Sequence, residues 1–172
     1  MVEKDYEEAV KWYRASADQG LDEGQNALAS MYFYGQGVSK DYQKARDLYL
    51  LAAEQGNFES QKMLGDIFYQ GIGVAQNYEE SVKWYRLSAE QGYDLAQVML
   101  SILYGQGRGV KRNFVIAHML ANLAAAQGNE NGRRLRDTSE RELTFEQIAE
   151  AQMLSSEWQP GMTIPTETST WP

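Results

Sequence analysis

The chain contains no cysteine and a single histidine among its 172 residues. Without cysteine there can be no disulfide, no thiolate nucleophile and no Cys-ligated zinc. With His118 alone, no second imidazole is available to complete a metal site or a nucleophile–base pair. No apolar run approaches the roughly 18 residues needed to span a bilayer, so the chain reads as not membrane-spanning. The N-terminus, MVEKDYEEAVKW, is charged from its third residue and has no apolar h-region, so no signal peptide is expected. That fits the cytoplasm or, for a processed fragment, the periplasm. Basic residues are outnumbered, 16 against 24 acidic, for a net charge of −8. Clustered positive charge is what phosphate neutralisation requires, so a general nucleic-acid binder is excluded. The three prolines all fall at or after Pro160.

What the sequence does have is a ruler. Gly20, Gly56, Gly92 and Gly128 lie 36 residues apart, as do Tyr6, Tyr42, Tyr78 and Phe114, and Val38, Val74 and Val110. A fixed period of this length marks a solenoid whose units pack on their neighbours. Within one period, Ser60–Gln70 and Tyr78–Gln91 each space their apolar residues as an amphipathic helix. Between them, Gly71-Ile72-Gly73-Val74 supplies a left-handed helix cap and a reversal. Asn77 then stands as N-cap, with Glu79 and Glu80 in the first turn at the positive end of the helix dipole. Each unit is therefore a helical hairpin, A then B. The A helices align as Gly24–Tyr34, Ser60–Gln70 and Ala96–Gln106, and the caps of the B helices as Asp41, Asn77 and Asn113.

These positions resemble the Sel1-like repeat, a relative of the tetratricopeptide repeat. Gln97, Leu100, Tyr104, Gly107, Gly109 and Val110 carry the motif in one unit, and Asn77, Tyr78, Trp84, Tyr85, Ala89 and Gly92 in another. The resemblance covers about residues 6–128. It implies an all-α, right-handed solenoid and a non-enzymatic adaptor role, binding a protein or peptide on the concave A-helix face. The expected organisation is a half repeat at 3–20, repeats at 21–56, 57–92 and 93–128, a C-terminal cap at 129–158 and a disordered tail at 159–172. A helix over Phe145–Trp158, capped by Thr144, closes the array. Trp171 in the tail could dock into a groove. Residues 3–20 are a B helix with no A helix before it, so Trp12 and Tyr13 lack half their usual cover. This suggests a piece of a longer array, and a homodimer through the N-terminal half repeat as the alternative to an adaptor.

Two surfaces are candidates for partner binding. The A-helix stripe turned away from Leu28, Leu64 and Leu100 holds Asn26, Ser30, Phe33, Tyr34, Lys62, Asp66, Tyr69, Gln70, Val98 and Ile102. Its aromatics are of the type enriched at binding hot spots. The second is a basic band: residues 108–136 carry Arg108, Lys111, Arg112, Arg133, Arg134 and Arg136 against Glu130 alone. Such a band would steer an acidic partner segment. Gly105-Gln106-Gly107-Arg108-Gly109 superficially looks like a phosphate-cradling loop, but Gly107 and Gly109 repeat earlier turns, and no strand precedes them. His118, in an apolar helix, reads as a packing residue.

Overall fold

The computed structural model describes residues 5–168, which contain nine α-helices, one short 3-10 turn and no strand. The repeat block expected over 1–158 separates into two compact units, residues 1–76 and 77–172. Because repeats contact only their neighbours, such a division can fall between any two helices.

The first unit holds α1 (Tyr6–Asp18), α2 (Asp22–Tyr34), α3 (Tyr42–Glu54) and α4 (Phe58–Gln70). One cluster of its core is Val10, Leu28 and Met31, with Tyr6, Tyr13, Tyr32 and Val38 packed around them; Tyr49, Leu64 and Ile67 are also buried. The A helices start two residues earlier than the sequence spacing predicts. Asn57 caps α4 by accepting from the Ser60 amide at 2.9 Å, and Asp22 extends the first turn of α2. Asp41 takes its predicted role, accepting from the Lys44 amide at 3.0 Å.

The second unit holds α5 (Tyr78–Glu90), α6 (Asp94–Gln106), α7 (Phe114–Ala126), α8 (Glu130–Ser139) and α9 (Phe145–Glu157). Asn77 and Asn113 cap α5 and α7 as expected. Thr144 and Gln147 form a reciprocal capping box at α9. Helix α7 is buried on nearly every side, from Val115 to Ala125, since α6, α8 and α9 all pack on it. Leu120 and Ala121 stand where Trp84 and Tyr85 stand one repeat earlier, and both are fully buried. Val115, Met119 and Leu123 meet Ala151 and Trp158 across the α7–α9 seam. Gly109 has φ +68, and a Cβ there would lie 2.3 Å from the Tyr78 carbonyl. Only glycine permits this approach of the turn to α5.

Recurring polar residues join successive hairpins. Gln55 Nε2 donates to Gln25 Oε1 at 2.8 Å, and its twin Gln127 donates to Gln97 Oε1 at 3.0 Å. Asn57 Nδ2 donates to Asp22 at 2.9 Å, and Asn129 to Asp94 at 2.7 Å. Gln25 and Gln97 are buried, so each of these bonds also removes a desolvation cost of ~1–3 kcal/mol. A second pair alternates. Arg14 donates to the Tyr32 hydroxyl and Arg86 to the Tyr104 hydroxyl, 72 positions on, whereas the repeat between places Leu50 and Phe68 there.

Over residues 159–168 the segment after α9 is held to the fold, where disorder is expected for 159–172; residues 169–172 lie outside the described residues. Ile164 is 2% exposed, and its amide donates to Glu90 Oε1 at 3.0 Å. Its carbonyl accepts from Arg86 Nη1 at 2.7 Å, and the Gly161 amide donates to the Glu90 carbonyl at 2.7 Å. One buried isoleucine and two charged anchors hold a sequence whose Thr-rich composition alone signals a loose tail. Thr168 Oγ1 accepts from Asn113 Nδ2 at 3.2 Å. Trp171 lies outside the described residues.

Candidate functional site

On the A-helix stripe of the first unit, several predicted surface residues prove to be engaged within the fold. Asn26 Nδ2 donates to Glu59 at 2.9 Å and its Oδ1 accepts from Ser60 Oγ at 2.8 Å, tying α2 to α4. Ser30 is hydrogen-bonded to the Tyr49 phenol. Burial pushes that phenol well above its ordinary range, with Ser30 opposing the shift, so Tyr49 stays neutral. Lys62 and Asp66 form an i,i+4 ion pair at 2.6 Å, largely shielded from water.

The aromatics divide. Phe33 is half-buried and packs edge-on to Tyr34, Tyr42 and Tyr49, with ring centroids 5.1, 5.2 and 6.4 Å away. It is a packing residue as much as a surface one. Tyr34, in contrast, is 55% exposed, and Tyr42 beside it is also exposed. Tyr69 is half-buried and Gln70 exposed. Tyr42, at the N-terminus of α3, had escaped the helix-face reading because it belongs to the following helix. The period that aligns it with Tyr6 and Tyr78 gives no sign of its exposure.

In the second unit the predicted stripe fails at Val98, which is 6% exposed and therefore part of the core. The helix turns a wider apolar arc inward than a narrow Leu–Tyr seam, so Val98 and Leu103 are buried together with Leu100 and Tyr104. Ile102 is half-buried and lines a groove of about 350 Å³ bounded by α6, α7 and α8. Gly105, Phe114, Ala117, Leu135 and Ser139 also line it. Gly105 lies in the last turn of α6. A Cβ built on it would meet nothing closer than Ala117 Cβ, at 3.9 Å.

The basic band is partly neutralised. Arg133 pairs with Glu130, and Arg136 with Asp137 at 2.8 Å. Arg108, Lys111, Arg112 and Arg134 are exposed and have no ion-pair partner among the described residues. Arg108 stacks on Tyr78 at 5.4 Å, and Arg112 on Phe114 at 5.5 Å.

His118 is fully buried, as a packing residue should be. Ser139 Oγ lies 2.8 Å from its Nδ1 and donates its own proton to the Arg136 carbonyl. Ser139 therefore accepts from Nδ1–H, leaving Nε2 as a buried lone pair without a partner among the described residues. Burial lowers the His118 pKa, and protonation would add an unpaired N–H in the core. The ring is neutral and held. Among the described residues, no group of three or more His, Asp or Glu side chains could hold a metal ion, and no helix is long and apolar enough to cross a membrane.

Hairpins of 36 residues, joined by repeated polar clamps and closed by αL glycines, define a helical-repeat protein. The chain belongs to the Sel1 repeat family: the repeat's sequence model matches residues 1–21, 22–57, 58–93 and 94–129. The chain is similar to a Sel1 repeat protein from Oxalobacter formigenes, at 34% identity over 75% of this chain and 98% of the other, with a TM-score of 0.70. It shares its fold with Helicobacter pylori cysteine rich protein B, at 20% identity over 78% of this chain and 97% of that one, TM-score 0.61. No curated protein matches the sequence. Sel1 repeats are generally protein–protein interaction modules, and proteins built of them are typically non-enzymatic scaffolds.

Proposed function

We propose that this chain is a non-enzymatic adaptor that binds a protein or peptide on its A-helix face, with Tyr34 and its neighbours in the first unit as the anchor. The observation that supports this reading is the cluster of Phe33, Tyr34 and Tyr42. The edge-on packing of Phe33 fixes Tyr34 and Tyr42 while leaving both exposed. Rigid exposed aromatics contribute contact area at little entropic cost on binding. Tyr69, Gln70 and the Lys62–Asp66 pair supply the polar surroundings. The test is affinity capture from the source organism's lysate, with the native chain beside Tyr34→Ala/Gln70→Ala. A protein retained by the first and lost by the second supports the site. Identical capture by both refutes it.

A second reading, self-association through α1, is favoured by Trp12, which is 70% exposed where its twin Trp84 is 8% exposed. Light scattering across a concentration series tests it: a monomer at all concentrations removes the reading, and a dimer abolished by Trp12→Glu supports it.

A further inference from the structure

We propose that the groove beside Gly105 receives an aromatic side chain from an acidic partner peptide. This deepens the adaptor reading and rests on it, but it places a contact in the second unit that the Tyr34 cluster does not share.

The shape argument comes from the repeat itself. Gly105 is the twin of Phe33, 72 positions on, and of Tyr69, 36 positions on. In the first unit the Phe33 ring lies edge-on to Tyr42. Phe114 is the twin of Tyr42, and it lines the groove together with Gly105. The groove is thus the space that a ring occupies in the earlier hairpin, emptied by the loss of one side chain. A second exchange changes its chemistry. Ser30 and Asp66 are replaced by Ile102, so the wall is apolar at this position where its siblings are polar, and the apolar side chains share the lining with Ser101, Gln106, Thr138 and Ser139.

Nothing in the fold demands the glycine. Its φ is not left-handed, and a Cβ would meet only Ala117 at ordinary contact distance. A glycine inside a helix is unfavourable relative to residues with a side chain. The volume of about 350 Å³ accommodates a ring, given that an apolar cavity of ~150 Å³ takes up benzene. Phe114 offers the edge-to-face partner that favours an aromatic over an aliphatic guest.

Charge selects the rest of the peptide. The turn that follows Gly105 exposes Arg108, Lys111 and Arg112, none with a carboxylate partner among the described residues. Arg112 lines a smaller hollow of about 140 Å³ that adjoins the groove through Phe114 and Glu142. Glu142 is the one acid in the lining; Arg112 shares the adjoining hollow with it, and Arg108 and Lys111 stand in the same exposed turn as Arg112, so acidic residues beside the aromatic are favoured.

The probe is acetyl-Asp-Glu-Tyr-Glu-Asp-amide, titrated into the ¹⁵N-labelled full chain, with the Tyr→Ala peptide as control. The amides of Ile102, Gly105 and Ala117 should shift on binding. Replacing the peptide tyrosine by alanine, or Gly105→Tyr in the protein, should weaken binding by about thirtyfold or more, the loss typical of a removed aromatic anchor. Binding should also weaken as ionic strength rises from about 0.01 to 0.15 M, where the screening length falls from ~30 to ~8 Å. Leu51→Ala, an exposed change on α3 in the first unit, should leave this peptide's affinity unchanged. A thermal melt checks that Gly105→Tyr is folded, and the shift map of the native chain stands independently of that variant. Absence of shifts at Ile102, Gly105 and Ala117, or undiminished binding by a folded Gly105→Tyr, overturns the proposal. Loss of binding with Tyr34→Ala but not Gly105→Tyr also overturns it, while leaving the adaptor reading in place. If deleting residues 169–172 alters the same three amides without peptide, the occupant is the chain's own Trp171, and the partner assignment is overturned.

Discussion

Trp12 and Trp84 occupy the same position of the repeat, on α1 and α5, yet are 70% and 8% exposed. Alanine at each should therefore have unequal consequences. A tryptophan buries up to about 200 Å², and apolar burial is worth about 25 cal/mol per Å². The buried share of Trp84 then amounts to roughly 4–5 kcal/mol, and that of Trp12 to roughly 1.5 kcal/mol, both upper values because an unfolded chain already hides some surface. The difference of about 3 kcal/mol corresponds to a further drop in Tm of roughly 6–12 °C for a chain of this size. Repeat proteins can unfold in stages, so the comparison is best made by urea denaturation followed by circular dichroism, with the melt as a second readout. Trp12→Ala as costly as Trp84→Ala would refute the reasoning. Trp12 would then be covered in solution, and the cost should vanish on dilution if a second copy provides the cover.

Gly109→Ala should destabilise by more than about 2–3 kcal/mol, combining the left-handed penalty with a clash on the Tyr78 carbonyl. Gly56→Ala, at φ +98 in open space, should cost only about 1 kcal/mol; equal losses by denaturation would show that the turn relaxes. Ile164→Ala should cost about 2–4 kcal/mol although it lies in a Thr-rich tail, and a loss below 0.5 kcal/mol, in the range of ordinary surface changes, would show the segment undocked. Because the folded His118 has a lowered pKa, the unfolded chain binds the proton more readily. Its contribution is neutral above about pH 6.5 and turns destabilising as pH falls below it. Urea midpoints between pH 7.5 and 5 should therefore fall less steeply in His118→Leu than in the native chain, and identical slopes would count against the neutral, buried ring.

The hairpins were legible because their determinants are local and repeated: paired glycines, Asp or Asn caps, and Leu and aromatic residues on one face. The candidate site was legible only in part. Asn26 and Ser30 looked like free surface, but their partners Ser60, Glu59 and Tyr49 lie on other helices, and periodicity within one helix is blind to them. Val98 looked exposed because a 3.6-residue pattern does not reveal how wide an arc the neighbours cover. The docked tail was missed because one buried Ile164 outweighs a composition suggestive of disorder. The groove could have been found by aligning Phe33, Tyr69 and Gly105, since the missing ring is written in the period.

The tail also bears on the order in which the second unit assembles. The clamps between hairpins join residues 30 or 35 positions apart, so each forms across a short loop. The bonds from Arg86 and Glu90 to Ile164 span 78 and 74 positions. Closing the longer loop costs more chain entropy, and it gains its hydrogen bonds only once α5 has presented both charged side chains. The helices should therefore assemble first and the tail fasten last, so that in native-state hydrogen exchange the amides of Gly161 and Ile164 open before those of α7.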